Sequence, residues 1–178
     1  TGYGFPGSGD PFAFMAFNPS STTPPMTDPG IMAHTGQRFG ACISSAPPFN
    51  PNNKWLISPK MNLGSNPKIG FWCKTYNVDY GYEKYNVAVS TTTNNPSAFT
   101  VISGPVPLAA PLNWSYRQYS LAGYASQDAY IGIQCVSDTA FIFMVDDIQI
   151  GSNLGMEETL PDAWVSVFPN PVRECVYL

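Results

Sequence analysis

The stretch Lys68-Ile69-Gly70-Phe71-Trp72-Cys73-Lys74-Thr75-Tyr76 alternates along its length. Ile69, Phe71 and Cys73 fall on one face, Trp72 and Lys74 on the other. A period of two marks a half-buried strand. The same pattern repeats outward in both directions. Trp55-Leu56-Ile57-Ser58 comes before it and stops at Pro59. Residues 85–91 come after it, with Tyr85, Val87 and Val89 on one face, and Thr92-Thr93-Asn94-Asn95-Pro96 turns the chain. Residues 99–103, 114–121, 130–136 and 141–150 complete the series. No amphipathic helix separates these runs, which predicts an all-β antiparallel sandwich rather than alternating strands and helices.

Composition agrees. Fifteen glycines and eighteen prolines in 178 residues leave little room for long helices. Aromatic residues reach 14%, which suits pleated surfaces. Shared parity places Trp55, Phe71, Val87, Val89, Ile131, Ile133 and Ile148 between two sheets. Residues 1–53 read as loop-rich. Residues 12–17 alternate as a strand, and Asn18-Pro19-Ser20-Ser21-Thr22-Thr23-Pro24-Pro25 cannot continue it. So long an irregular stretch indicates a functional loop or an insertion.

Charge narrows the function classes. Eight basic residues against twelve acidic ones give a net charge of -4. Nucleic-acid binding needs a basic face, which this balance does not supply. No apolar run is long enough to span a membrane as a helix. The start, Thr1-Gly2-Tyr3, carries no targeting signal and reads as a mature or trimmed fragment.

Catalytic motifs are missing. His34 is the single histidine, and no serine sits in a G-x-S-x-G elbow. Glu83, Asp79 and Asp147 could meet as paired carboxylates, but no spacing argues for it. The chain is therefore expected not to be an enzyme. Cys42, Cys73, Cys135 and Cys175 form no C-x-x-C. They read either as buried thiols or as disulfide partners, with pairing open. Asn113-Trp114-Ser115 fits a glycosylation sequon, a pattern common by chance.

Two features point to binding. Asp146 and Asp147 interrupt an apolar strand. By parity Asp146 shares a face with Ile142, Met144, Ile148 and Ile150. A carboxylate there must be paired, hydrogen-bonded or metal-bound. Calcium suits oxygen ligands, with Glu83 or Asp10 as second carboxylates. Backbone N–H groups from a neighbouring loop would satisfy Asp146 equally. The second feature is aromatic. Tyr76, Tyr80, Tyr82, Trp114, Tyr116, Tyr119 and Tyr124 lie on strands and loops. Of these, Tyr80, Tyr82, Trp114 and Tyr116 are the candidate ligand contacts, since exposed rings stack on sugars or anchor proteins. Sandwich packing is the competing role for each.

Several phrases together resemble the cleaved-adhesin, or choice-of-anchor J, family of Bacteroidetes. They are Asn53-Lys54-Trp55-Leu56-Ile57-Ser58-Pro59, Ile69-Gly70-Phe71-Trp72 and the run from Tyr82 to Thr92. The run from Trp114 to Tyr124, then Ala129-Tyr130-Ile131-Gly132-Ile133, and finally Phe143-Met144-Val145-Asp146-Asp147-Ile148 complete the order. The resemblance spans roughly residues 33–151 and implies an exported jelly-roll sandwich that is adhesive or carbohydrate-binding, often with structural Ca²⁺. Residues 1–32 depart from the family's opening, where acidic ligands are often found, and Asp10 is the nearest substitute. Val165-Ser166-Val167-Phe168-Pro169-Asn170-Pro171-Val172 looks like the start of a type IX secretion sorting domain. The expected organisation is a sandwich over 1–152, a linker over 153–163 and a truncated sorting domain over 164–178. The expected role is a secreted or cell-surface module recognising a glycan or a host protein. The alternative is an accessory module of a larger hydrolase or protease.

Overall fold

The computed structural model describes residues 4–5, 13–44, 51–138, 140–152 and 154, and the backbone of Cys175–Tyr177. Among them 43% are in strands and 9% in short helical turns. The strands are β1 (Met15–Phe17), β2 (Phe39–Ile43), β3 (Lys54–Ile57), β4 (Met61–Asn62), β5 (Lys68–Thr75) and β6 (Lys84–Ser90). β7 (Thr100–Val101), β8 (Leu108–Ala109), β9 (Ser115–Ser120), β10 (Asp128–Cys135), β11 (Ile142–Gly151) and β12 (Cys175–Tyr177) complete them. One sheet runs β1-β2-β11-β5-β9 and the other β12-β3-β10-β6-β7, with β4 on β10 and β8 on β6. The long strands alternate between sheets, so β2 and β11 pair in one layer while β3 and β10 pair in the other. Such nested antiparallel pairing in two layers is a jelly roll. β12 departs from it by pairing in parallel with β3. Apart from residue 154 and this strand, the expected linker and sorting segment lie outside the described residues.

The core lies where parity places it. Phe71, Val87, Val89, Ile131 and Ile133 are buried together between the sheets, and Ile148 packs at its margin. Trp55 is a correction. It is buried with Ile57 and Ala88, flanked by Phe99 and Tyr130, in a separate cluster. Its neighbour Leu56 points into the main core instead. Gly132 makes this possible, because a Cβ there would lie 2.9 Å from the Trp55 ring and 3.1 Å from Phe99. The indole lies flat across β10 only over a glycine.

β2 is a strand that periodicity does not reveal. Phe39-Gly40-Ala41-Cys42-Ile43 carries two small residues, so its β signal is weak. It forms because it pairs with both β1 and β11, close enough that a Cβ on Gly40 would lie 3.3 Å from the Val145 carbonyl.

The loop-rich stretch before β2 has a fixed job. Residues 18–38 lie over the outer face of the first sheet. Ile31 is buried there with Met15, Phe17, Phe39, Ala41, Ile142 and Met144, and Met26, Met32, Ala33 and Trp114 pack around them. Two short 3₁₀ turns, Pro19–Ser21 and Pro29–Ile31, shape it. Each opens on proline, and Asn18 or Asp28 caps it through its side chain.

Candidate functional site

The Asp146–Asp147 pair holds that covering segment. A bulge in β11 causes it: Asp146 pairs with Trp72 and Gln149 with Gly70, so one extra residue is inserted. Asp147 takes a left-handed φ of 48° there, a conformation aspartate tolerates. The bulge also corrects the parity reading. Asp146 shares the outer face with Ile142 and Met144, but Ile148 and Ile150 turn to the main core. Asp146 Oδ2 accepts the N–H groups of His34 at 2.9 Å and Thr35 at 3.2 Å, and Oδ1 accepts that of Asp147 at 2.9 Å. Burial, reinforced by the charge of Asp147, raises the Asp146 carboxyl pKa despite these donors.

Asp147 grips the same two residues by their side chains. His34 Nδ1 donates to Oδ2 and the Thr35 hydroxyl to Oδ1, both at 2.6 Å. A carboxylate only accepts, so Nδ1 carries the proton. The imidazole stacks on Trp72 with ring centroids 3.8 Å apart. Three more contacts complete the latch. Trp114 Nε1 donates to the Met32 carbonyl at 3.1 Å, Lys74 Nζ to that of Gly30 at 2.7 Å, and the Tyr76 hydroxyl to Asp28 at 2.7 Å. Tyr76 and the Gly30 N–H hold Asp28 below the usual carboxylate range. His34, Trp72, Lys74 and Asp28 escape sequence reasoning because their partners lie far along the chain.

The four candidate aromatics separate into two places. Trp114 and Tyr116 belong to the covered face. Trp114 is half-buried and spends its donor on the loop. Tyr116 packs 5.9 Å from Trp72 and lies across Gly70, whose missing Cβ leaves room for the ring. Tyr80 and Tyr82 stand free on the β5–β6 loop, 64% and 51% exposed. Phe141 joins them, its ring edge-on to Tyr80 at 6.4 Å and against Tyr76 at 5.8 Å. Phe141, read from the sequence as the first residue of the last strand, sits instead in the bend just before β11. Val78 adds a fourth exposed apolar side chain.

This patch is rigidly mounted. The Gly81 N–H donates to the Val78 carbonyl at 3.0 Å, with Gly81 at φ 102°, a backbone that favours glycine. Tyr76 N–H donates to the Ile142 carbonyl at 3.1 Å. At the far end Glu83 is fully buried. Its N–H donates to the Thr75 hydroxyl at 3.0 Å, and its carboxylate accepts from Ser137 and, at 3.3 Å, from Ser44.

Glu83 thus anchors the loop and shares none of its partners with Asp146. Asp10 lies outside the described residues. Among the described residues no three His, Cys, Asp or Glu side chains converge as a metal cage. The groups aimed at Asp146 are N–H donors and its neighbour is an imidazole, a set that does not fit the oxygen ligands calcium takes.

Burial raises the Glu83 pKa above the ordinary carboxylate value, its hydrogen bonds notwithstanding. The folded protein therefore holds a proton on Glu83 more tightly than the unfolded chain does. Its contribution is fully present below the unfolded pKa and is lost as pH rises through the raised folded value. Glu83→Gln removes the charge and keeps the shape. Its stability relative to wild type is expected to climb as pH rises above the ordinary carboxylate range. Urea unfolding at several pH values measures this; a pH-independent difference contradicts it.

A family model described as Cleaved Adhesin Domain matches residues 18–150. The fold is similar to the K1 cleaved adhesin domain of Lys-gingipain from Porphyromonas gingivalis W83. The TM-score is 0.60 at 21% identity, covering 82% of this chain and 87% of that one. The K2 domain of Lys-gingipain also scores 0.60, at 17% identity over 80% of this chain and 85% of that one. TmCBM61, solved in complex with beta-1,4-galactotriose, reaches 0.50 at 14% identity over 79% of this chain and 83% of that one. No curated protein sequence matches the chain. Among the described residues no helix is long and apolar enough to cross a membrane.

Proposed function

The chain belongs to the cleaved adhesin domain family, and from that premise we propose that it is a non-catalytic module that binds glycan through the Tyr80–Tyr82 end of its sandwich. The observation that carries this reading is the patch itself. Tyr80, Tyr82, Val78 and Phe141 are four exposed large apolar side chains on neighbouring turns of one edge of the fold. Tyrosine offers a flat ring for stacking and a hydroxyl that stays wet. Asn77, in the same loop, has a buried amide oxygen with no hydrogen-bond partner, an acceptor that a bound hydroxyl or water would satisfy. The covered outer face serves poorly, since Trp114 and Trp72 are engaged by the loop.

The absence of catalysis belongs to the same proposal. The Thr35 hydroxyl points to Asp147 and not to the second nitrogen of His34, so this His–Asp pair has no nucleophile arranged on it among the described residues.

A glycan array with the purified domain tests the reading. Tyr80→Ala and Tyr82→Ala are each expected to weaken binding of the best ligand about tenfold or more, roughly 1.4 kcal/mol, with unchanged melting. Wild-type affinity in both variants overturns it. A host protein as partner, or service as an accessory module of a larger hydrolase or protease, would use the same patch. The galactotriose held by TmCBM61 favours a sugar.

Export is part of the proposal, with residues 164–178 read as the opening of a type IX sorting segment. Calcium at Asp146 and Asp147, the expectation from the family resemblance, stands apart from this proposal as its rival for those two carboxylates. It requires that EDTA lower the melting temperature and that millimolar calcium restore it.

A further inference from the structure

Four connections meet at the Tyr80–Tyr82 end of the sandwich, those from β2 to β3, β5 to β6, β8 to β9 and β10 to β11. Backbone hydrogen bonds tie them to one another. The N–H of Ser44 donates to the Phe141 carbonyl at 2.8 Å, and that of Asn52 to the Ser137 carbonyl at 2.8 Å. The N–H of Thr75 donates to the Pro111 carbonyl at 2.7 Å, and that of Ala110 to the Glu83 carbonyl at 2.8 Å. The β8–β9 connection thereby brings a further exposed apolar side chain, Leu112, to this end.

Residues 44–53, 76–83, 110–114 and 136–141, which make these connections, contain no lysine or arginine. Their acids are Asp79, Glu83 and Asp138. Glu83 is buried, whereas Asp79 and Asp138 are exposed. Asp28 adds another exposed carboxylate. It accepts from the Tyr76 hydroxyl at 2.7 Å, and the Tyr76 ring lies 5.8 Å from that of Phe141. On the adjoining strands, Lys54 Nζ donates to the Ile43 carbonyl at 2.6 Å and Lys74 Nζ to that of Gly30 at 2.7 Å. Lys84 is exposed at the start of β6. The rings of the patch are thus set among carboxylates. The Asn77 amide oxygen, buried without a partner, is an acceptor as well.

We propose that this end selects an uncharged, hydroxyl-rich glycan over uronate, sialylated and sulfated ones, with Asp79 as the specificity-determining residue. The inference rests on the glycan reading and names its substrate class. Asp79 stands between Val78 and Tyr80, so a carboxylate lies one residue from the stacking ring. A carboxylate only accepts hydrogen bonds. It therefore bonds the hydroxyl donors of a neutral sugar, and such charge-assisted bonds are the stronger kind. The Asn77 oxygen asks for a donor in the same way. An anionic substituent supplies no donor and meets Asp79, Asp28 and Asp138 as like charges. Across water, a like charge about 6 Å away weakens binding roughly threefold, so two such carboxylates together make about tenfold.

A glycan array carrying neutral, uronate, sialylated and sulfated oligosaccharides is expected to show its strongest binders among the neutral ones. Calorimetry then compares the best neutral hexose oligosaccharide with the same compound oxidised at its hydroxymethyl groups to the uronate. At about 20 mM salt the oxidised form should bind about tenfold more weakly, and the gap should shrink several-fold at about 0.5 M. Asp79→Asn should narrow the low-salt gap roughly threefold and keep most of the neutral affinity. Asp79→Ala should weaken the neutral ligand about tenfold. Both variants should melt as the wild type does. An anionic best binder, an oxidised ligand bound as tightly as the neutral one, or a gap that salt does not change overturns the charge selection and leaves the glycan reading standing. An unchanged gap in Asp79→Asn, or unchanged neutral affinity in Asp79→Ala, removes Asp79 from its role. Binding to no sugar on the array refutes the glycan reading, and this inference falls with it.

Discussion

Phe143→Ala is expected to cost about 3–5 kcal/mol of folding free energy, with a fall in melting midpoint of roughly 8–15 °C. Phe143 is fully buried and joins parts of the chain that no local contact links. Its ring stacks on Tyr85 of β6 at 5.2 Å and meets Phe14 edge-on at 6.2 Å. Tyr85 in turn meets Phe71 at 5.9 Å, and Phe71 stacks on Tyr119 at 6.0 Å. The Tyr85 and Tyr119 hydroxyls bond to each other at 2.8 Å. Removing Phe143 leaves a cavity walled by rings from both sheets, and stiff aromatics that are also hydrogen-bonded cannot collapse into it. Phe143→Leu keeps most of the volume and should lose less than half as much. Scanning calorimetry of the two variants decides the matter; an alanine variant within about 1 kcal/mol of wild type would show that the two layers are not joined there.

How far the sequence could be read follows from the range of each interaction. β5, β6, β10 and β11 were legible because their alternation is local, and so was the core they build. Trp55 was misplaced because its alternation allows either face. What decides is Gly132, a glycine on β10 beneath the indole and remote from it in the chain. β2 was invisible because Gly40 and Ala41 carry no side-chain signal and only pairing makes them a strand. Asp146 stood out as costly, which was right, but its partners His34 and Thr35 precede it by more than a hundred positions. Tyr80 and Tyr82 were legible as aromatics but not as exposed ones; their freedom depends on how the β5–β6 turn projects.

The two aromatic regions therefore carry different burdens. On the outer face, Trp72, Trp114 and His34 convert an irregular segment into part of the fold. That face has little free surface to offer a ligand. At the sandwich edge, the buried Glu83 and the Tyr76 contacts immobilise the loop base, so Tyr80 and Tyr82 are presented with little conformational freedom left to lose. Ordering costs avoided before binding are not charged against affinity.

Asp146→Ala tests the latch directly. Three backbone N–H groups, of His34, Thr35 and Asp147, lose their acceptor, and an unsatisfied donor costs about 1–3 kcal/mol where it is shielded from water. Some of that is returned, because the half-buried carboxylate was itself costly to desolvate. A net loss of about 2–3 kcal/mol is expected, together with faster amide exchange at His34 and Thr35 and earlier proteolysis within residues 18–38. Asp146→Asn retains one side-chain carbonyl and should lose less. EDTA should move neither melting curve, because N–H donors already occupy the carboxylate. A calcium-centred role gives the opposite pattern: EDTA would lower the wild-type midpoint, calcium would restore it, and Asp146→Ala would abolish both responses. If Asp146→Ala leaves exchange at His34 and Thr35 unchanged, the latch is refuted. The segment would then be held by Ile31 and its apolar neighbours alone.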